Sequence, residues 1–98
     1  MDAIMTYLLQ KKNMMEAVAV RTADKVSKYD DIRDEFEAWI TTGAYQTENA
    51  LVVGGYSAQE IYQLAPFMDG VGVFNFMVTL REEPAKAKEY IAAGFKRK

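Results

Sequence analysis

Aspartate, glutamate, lysine, tyrosine and the hydroxyl residues must carry any chemistry this chain performs, because it contains no histidine and no cysteine. Without histidine the commonest general base and the commonest metal ligand are both missing. Without cysteine there is no thiolate nucleophile, no disulfide and no thiolate-bound zinc or iron–sulfur centre. A Ser–His–Asp or Cys–His device cannot be built, and a metal site would have to be all carboxylate. One acid cluster exists, Asp30, Asp31, Asp34 and Glu35, followed by Glu37. Its spacing matches no calcium-binding loop, and its place at a helix start explains it through the helix dipole. The expectation is no enzyme, no cofactor and no metal.

Charge is distributed unevenly. Residues 43–83 carry five acids, Glu48, Glu60, Asp69, Glu82 and Glu83, against Arg81 alone. The end reverses this with Lys86, Lys88, Lys96, Arg97 and Lys98 against Glu89. An acidic middle and a basic end are complementary within one molecule or between two copies. The longest apolar runs, such as Ala17 to Val20, are four residues, far below the roughly 20 that span a bilayer. The first residues are acidic before they are basic, the reverse of a secretory signal. A cytoplasmic address and no membrane association are expected.

These residues must be positioned by helices. The 98 residues suffice for one modest core, and neither Gly nor Pro occurs before Gly43. In segment 1–26, Ile4, Leu8, Met15, Val18, Ala19, Thr22 and Val26 recur at helical steps, interrupted at Lys11 and Lys12, so a break is expected near Asn13. Val18 and Val20 also alternate as a strand would. In segment 27–43, Ser27 and Asp30 have capping-box spacing, with Asp30 a good N-cap itself. Ile32, Phe36, Trp39 and Ile40 then share one face, and Gly43 supplies a left-handed end. A short strand is expected at 50–53, ended by Gly54 and Gly55. Tyr45 is expected to fold back on Trp39.

Segment 56–82 is the most strongly marked. Ser57 and Glu60 form a capping box flanked by Tyr56 and Ile61, and Ala58, Ile61, Leu64 and Ala65 make an apolar edge. Pro66 ends that helix, and Asp69 caps the next, Gly70 to Glu82. There Val73, Phe76, Met77 and Leu80 lie on one side, with Val71, Phe74 and Val78 on another. Gly70 and Gly72 admit close approach by a neighbour. Alternation at Phe74, Phe76, Val78 and Leu80 leaves a strand as the competing reading. Segment 84–98 opens with Pro84 at a first helical position, with Ala87 and Ile91 on its apolar edge and Gly94 closing it.

On Ser57, Ala58, Ile61, the Phe67–Asp69 turn, Met77, Leu80, Arg81 and Glu82, the chain resembles a degenerate bacterial helix-turn-helix or winged-helix domain. The likeness is to the form found in small bacterial proteins of unknown function. It implies a mainly α fold: one small domain of four to five helices with a helix-turn-helix-like core and at most one short strand. The expected core is Ile32, Phe36, Trp39, Ile40, Ile61, Leu64, Val73, Phe76, Met77, Leu80 and Ile91.

The resemblance departs where a DNA reader works. The second helix of such a motif presents donors to phosphates and base edges; here that face is Gly70, Val71, Gly72, Phe74, Asn75 and Val78. The expected function is therefore a non-catalytic protein–protein interaction module, self-associating as a homodimer. Its interface would be Val71, Phe74 and Val78, with Met5 and Leu9 of the methionine-rich start as a second apolar stripe. The alternative is a small DNA-binding regulator using Asn75, Arg81 and the tail Lys96, Arg97 and Lys98.

Overall fold

Helix α5, Gly70–Glu82, is apolar on nearly every side, and the other elements assemble around it. The computed structural model describes residues 3–45 and 51–93. Asp69 caps α5 by accepting a 2.8 Å hydrogen bond at Oδ1 from the Gly72 N–H. Val73, Phe74, Met77 and Val78 are fully enclosed, and Val71, Phe76 and Leu80 nearly so. The helical reading of 70–82 holds and the strand alternative does not.

The chain begins with α1, Ala3–Thr6, which widens into a π-helical turn, Tyr7–Lys11. The Lys12 N–H donates to the Tyr7 carbonyl at 3.1 Å, five residues back. Asn13 takes a left-handed φ of 55°, which asparagine tolerates better than most residues, and the expected break falls there. Helix α2, Glu16–Val26, follows and buries Ala19, Ala23 and Val26. Met15 and Val18, expected in the stripe, are exposed at 76% and 36%; the Asn13 turn resets the helical phase, so the buried face runs through the alanines. Val18 and Val20 are helical.

Helix α3, Asp30–Thr42, buries Ile32, Glu35 and Phe36. Its N-cap is Tyr29 rather than Asp30, because the Tyr29 carbonyl accepts the first helical bond, from Arg33 at 2.9 Å. Ser27 instead closes α2 in helical geometry, so the Ser27–Asp30 box does not form. Gly43 ends α3 at φ 75°, donating to the Trp39 carbonyl at 2.7 Å.

Two short strands, β1 at Val52–Val53 and β2 at Tyr56–Ser57, pair antiparallel with Val53 opposite Tyr56. Gly54 and Gly55 make the two-residue turn at φ 62° and 89°, the positive pair such a hairpin needs. Only one strand was expected, since Tyr56 reads as a helix staple; the turn lets it pair backwards instead. Ser57 also starts α4, Ala58–Leu64, through the predicted box: its Oγ accepts from Glu60 N–H and its own N–H donates to Glu60 Oε1. Ala65 leaves helical geometry ahead of Pro66, and Leu64 turns outward, 42% exposed, so it is not a core residue. Helix α6, Pro84–Ala92, packs Ala87 inward and sets Tyr90 edge-on to Phe76.

The described residues thus form a mainly helical fold of six α-helices and one π turn, more than the four to five expected. The excess comes from the break at Asn13 and from the separate first turns. Trp39, Ile40 and Ile91 pack against the core only partly buried. No described helix is long and apolar enough to cross a membrane.

Candidate functional site

Trp39 lies in the last turn of α3, where its indole leans over the start of α5. It can do so because residue 70 is glycine: a Cβ there would stand 2.2 Å from the ring. The close approach expected of the two glycines therefore has a named partner, and Gly72 admits Met68 in the same way. Just beyond α3, the left-handed turn at Gly43 brings Tyr45 back onto Trp39, centroids 6.0 Å apart and planes 20° from parallel. Tyr7, from the π turn, meets Trp39 edge-on at 5.6 Å. Tyr62, from α4, stands 5.7 Å from Tyr45.

These four rings wall an open cleft of about 670 Å³, completed by Gln59 and Gln63 of α4, by Asp69, and by the backbone at Gly43, Ala44 and Gly70. That is the size and make-up of a ligand site: mostly aromatic wall, a few polar groups. Beneath it Phe74 stacks on Phe36 at 4.7 Å and touches Tyr45 at 6.0 Å, so the floor is continuous with the core. Burial, reinforced by Tyr62, Asp69 and Tyr7, pushes the Tyr45 phenol up to about 12. At neutral pH it stays protonated and is a donor rather than a base.

Asp69 has two partners from other residues. Besides capping α5, it takes a 2.7 Å ion pair from Lys12 Nζ, which ties the end of the π turn to the cleft. Burial alone would raise its carboxyl, but the hydrogen bonds from Lys12 and Gly72 N–H and the lysine charge hold it below its ordinary value. The same hydrogen bond raises Lys12.

A second polar constellation joins the far end of α5 to the α2–α3 corner. Arg81 forks onto Asp31 at 2.7 and 3.0 Å, with its guanidinium 4.9 Å over the Tyr29 ring. Lys28 pairs with Glu82 at 2.5 Å, and the Tyr29 hydroxyl donates to the same carboxylate at 3.3 Å. The Arg81 hydrogen bonds depress Asp31, and the Lys28 hydrogen bond depresses Glu82. Each group is satisfied by its partner, and the arrangement is a clasp between helices.

The residues expected to form an interface lie elsewhere than a surface. Val71 is 5% exposed and Phe74 and Val78 are fully buried, because α2, α3, α4 and α6 of the same chain pack around α5. Met5 and Leu9 are half-buried against the core of their own chain. Of the alternative nucleic-acid contacts, Arg81 is committed to Asp31 and Tyr29. Asn75 has its Oδ1 buried without a hydrogen-bond partner. Lys96, Arg97 and Lys98 lie outside the described residues, as does Gly94.

The cleft residues that sequence reasoning did not gather are Tyr7, Gln59, Tyr62, Gln63 and Asp69. The one available signal was the Trp39–Gly43–Tyr45 spacing, which predicts the Trp39–Tyr45 stack but not what else joins it. Among the described residues, no three acidic side chains converge on a point that could hold a metal ion. No family model matches the chain, and neither a curated protein nor a solved structure is found similar to it.

Proposed function

We propose that this chain is a non-catalytic interaction module whose recognition surface is the aromatic cleft. The observation that carries the reading is the convergence of Tyr7, Trp39, Tyr45 and Tyr62, from four separate segments, on an open cleft flanked by two glutamines. Aromatic residues that present a ring and a polar tip are the side chains that anchor protein contacts. At the end of α4 and just beyond it, Tyr62, Leu64 and Phe67 are 40, 42 and 58% exposed. Homodimerisation belongs to the same proposal only through such exposed surface, since the Val71–Phe74–Val78 side of α5 is enclosed.

What supports this over DNA binding is the state of α5. A recognition helix needs an exposed face with donors, whereas this helix is surrounded and its arginine is engaged within the fold. What supports a non-catalytic role is the cleft's lack of a free acid–base pair: Asp69 is occupied and Tyr45 is held protonated.

Trp39 is the chain's sole tryptophan, so its fluorescence reads the cleft directly. Peptides selected from a random display library on the intact protein should shift its emission when titrated, and Tyr62→Ser should abolish the response. Peptides that bind with unchanged emission and full affinity for Tyr62→Ser would place recognition elsewhere and remove the reading. Light scattering coupled to gel filtration of the wild type and Phe67→Glu tests whether this exposed apolar surface holds two copies together.

A further inference from the structure

From the charge and ring chemistry of the cleft we infer that it takes an alkylammonium group, presented as a lysine side chain by a partner polypeptide. This rests on the cleft being the recognition surface. None of the described residues lining it is basic, and its one charged group is the Asp69 carboxylate. The surrounding sequence is acidic as well, with five acids against one arginine over residues 43–83. Aromatic rings carry negative faces, and an ammonium within about 6 Å of a ring centroid is attracted to them, more strongly as water is excluded. An anionic or phosphate-bearing partner would meet the Asp69 carboxylate and the ring faces, with no cationic side chain among the lining residues.

The chain supplies its own precedent. Lys12 already delivers an ammonium to Asp69 at 2.7 Å from just outside the cleft. The carboxylate is therefore an established cation acceptor, and one of its cations is already in place. A ligand lysine then draws on the faces of Tyr45 and Tyr62 and on the side-chain carbonyls of Gln59 and Gln63. The four-carbon stem of lysine lies along ring surface while its head meets the polar groups. An aromatic slot of this volume also accommodates the neighbouring backbone of a peptide.

The experiment titrates the full chain, following Trp39 emission, with three probes. These are a ten-residue Gly/Ser peptide carrying one central lysine, the same peptide with norleucine in its place, and spermidine. The lysine peptide should bind about tenfold more tightly than the norleucine peptide, and the difference should shrink as salt is raised. Tyr62→Phe, which keeps the ring, should keep the preference, and Tyr62→Leu should lose it. Gln63→Arg, at an exposed position, should fill the cleft with the chain's own cation and weaken the lysine peptide. Lys12→Met should strengthen it by leaving Asp69 unneutralised. Circular dichroism melts of each variant separate lost binding from lost fold.

Equal binding of the norleucine and lysine peptides would overturn the cation and leave an apolar recognition cleft. Spermidine binding as tightly as the lysine peptide would make the occupant a free polyamine and overturn the partner polypeptide. If display-selected peptides move Trp39 while none of the three probes does, the inference falls and the interaction module stands. If nothing moves it, both fall.

Discussion

Phe74 shows how far one side chain's role depends on what covers it. In the sequence it belongs to an apolar side of a helix that reads as needing a second molecule; in the fold it stacks on Phe36 and touches Trp39 and Tyr45, with no exposed area. Phe74→Ala should cost about 3–5 kcal/mol, measured by urea denaturation. Phe74→Glu should destroy the helical circular dichroism signal instead of separating a dimer, because an unpaired carboxylate would be buried in the aromatic cluster. A folded Phe74→Glu protein of unchanged stability would contradict this packing. Single residues were legible where a local rule fixes them. Gly43, Ser57 with Glu60, Asp69 and Pro84 stand where capping chemistry requires, since a cap needs only neighbours within three or four positions. Tyr62 and Gln63 were not legible as site residues, because their partners lie on other segments and no spacing connects them.

At the level of elements, the type and bounds of α5 were readable from its Asp69 cap and its exit at Glu82, while its environment was not. A helix apolar on all sides must be buried, but whether its own chain or a second copy buries it depends on how the first 26 residues turn. That turn is made by a π segment and a left-handed Asn13, which periodicity registers only as an interruption. The β1–β2 hairpin was half legible: the two glycines mark a turn, yet Tyr56 satisfies a strand and a helix staple equally. The Arg81–Asp31 fork connects the end of α5 to the start of α3 and gives an element-scale test. A double-mutant cycle of Asp31→Asn with Arg81→Met should yield a coupling of about 0.5–1 kcal/mol, at the low end because Asp31 is half exposed. Raised salt should diminish it. Zero coupling at low ionic strength would mean that the clasp does not join the two helices in solution.

For the whole molecule, the clasp and the cleft pair set the response to acid. The carboxyls of Asp31, Asp69 and Glu82 are all held below their ordinary values by cationic partners. A group depressed in the folded state stabilises it above its unfolded pKa, about 4 for these carboxyls. That contribution fades as pH falls through the lower folded values. The melting temperature should therefore be flat from pH 7 to about 5 and drop below about 4. Asp31→Asn and Asp69→Asn should each lower it at neutral pH and lessen the acid-induced drop. A wild-type melting temperature unchanged at pH 3 would show that these pairs do not stabilise the fold. Mainly helical architecture follows from sequence because helices are local objects. The cleft does not, because it exists only where the ends of α3 and α4, the start of α5 and the π turn meet.

The π turn at Tyr7–Lys11 can be regarded as a surplus residue stored in the backbone. A π turn uses one residue more per turn than an α turn does, so the chain after it is rotated by one position, about 100°. That offset lets Tyr7 face Trp39 while Lys12, five residues on, reaches Asp69. Excising Gln10, which is exposed, would let the segment relax to regular α geometry without removing a core side chain. Lys12 would then stand four residues after Tyr7 in a regular α turn, on the same side, and both would keep their places. Such a shortened chain should keep the Lys12–Asp69 contribution and melt at neutral pH like the parent protein, whereas a profile like that of Lys12→Met would mean that the turn does not store a surplus residue. The match between this segment's length and its winding, rather than any side chain in it, decides which charge stands at the mouth of the cleft.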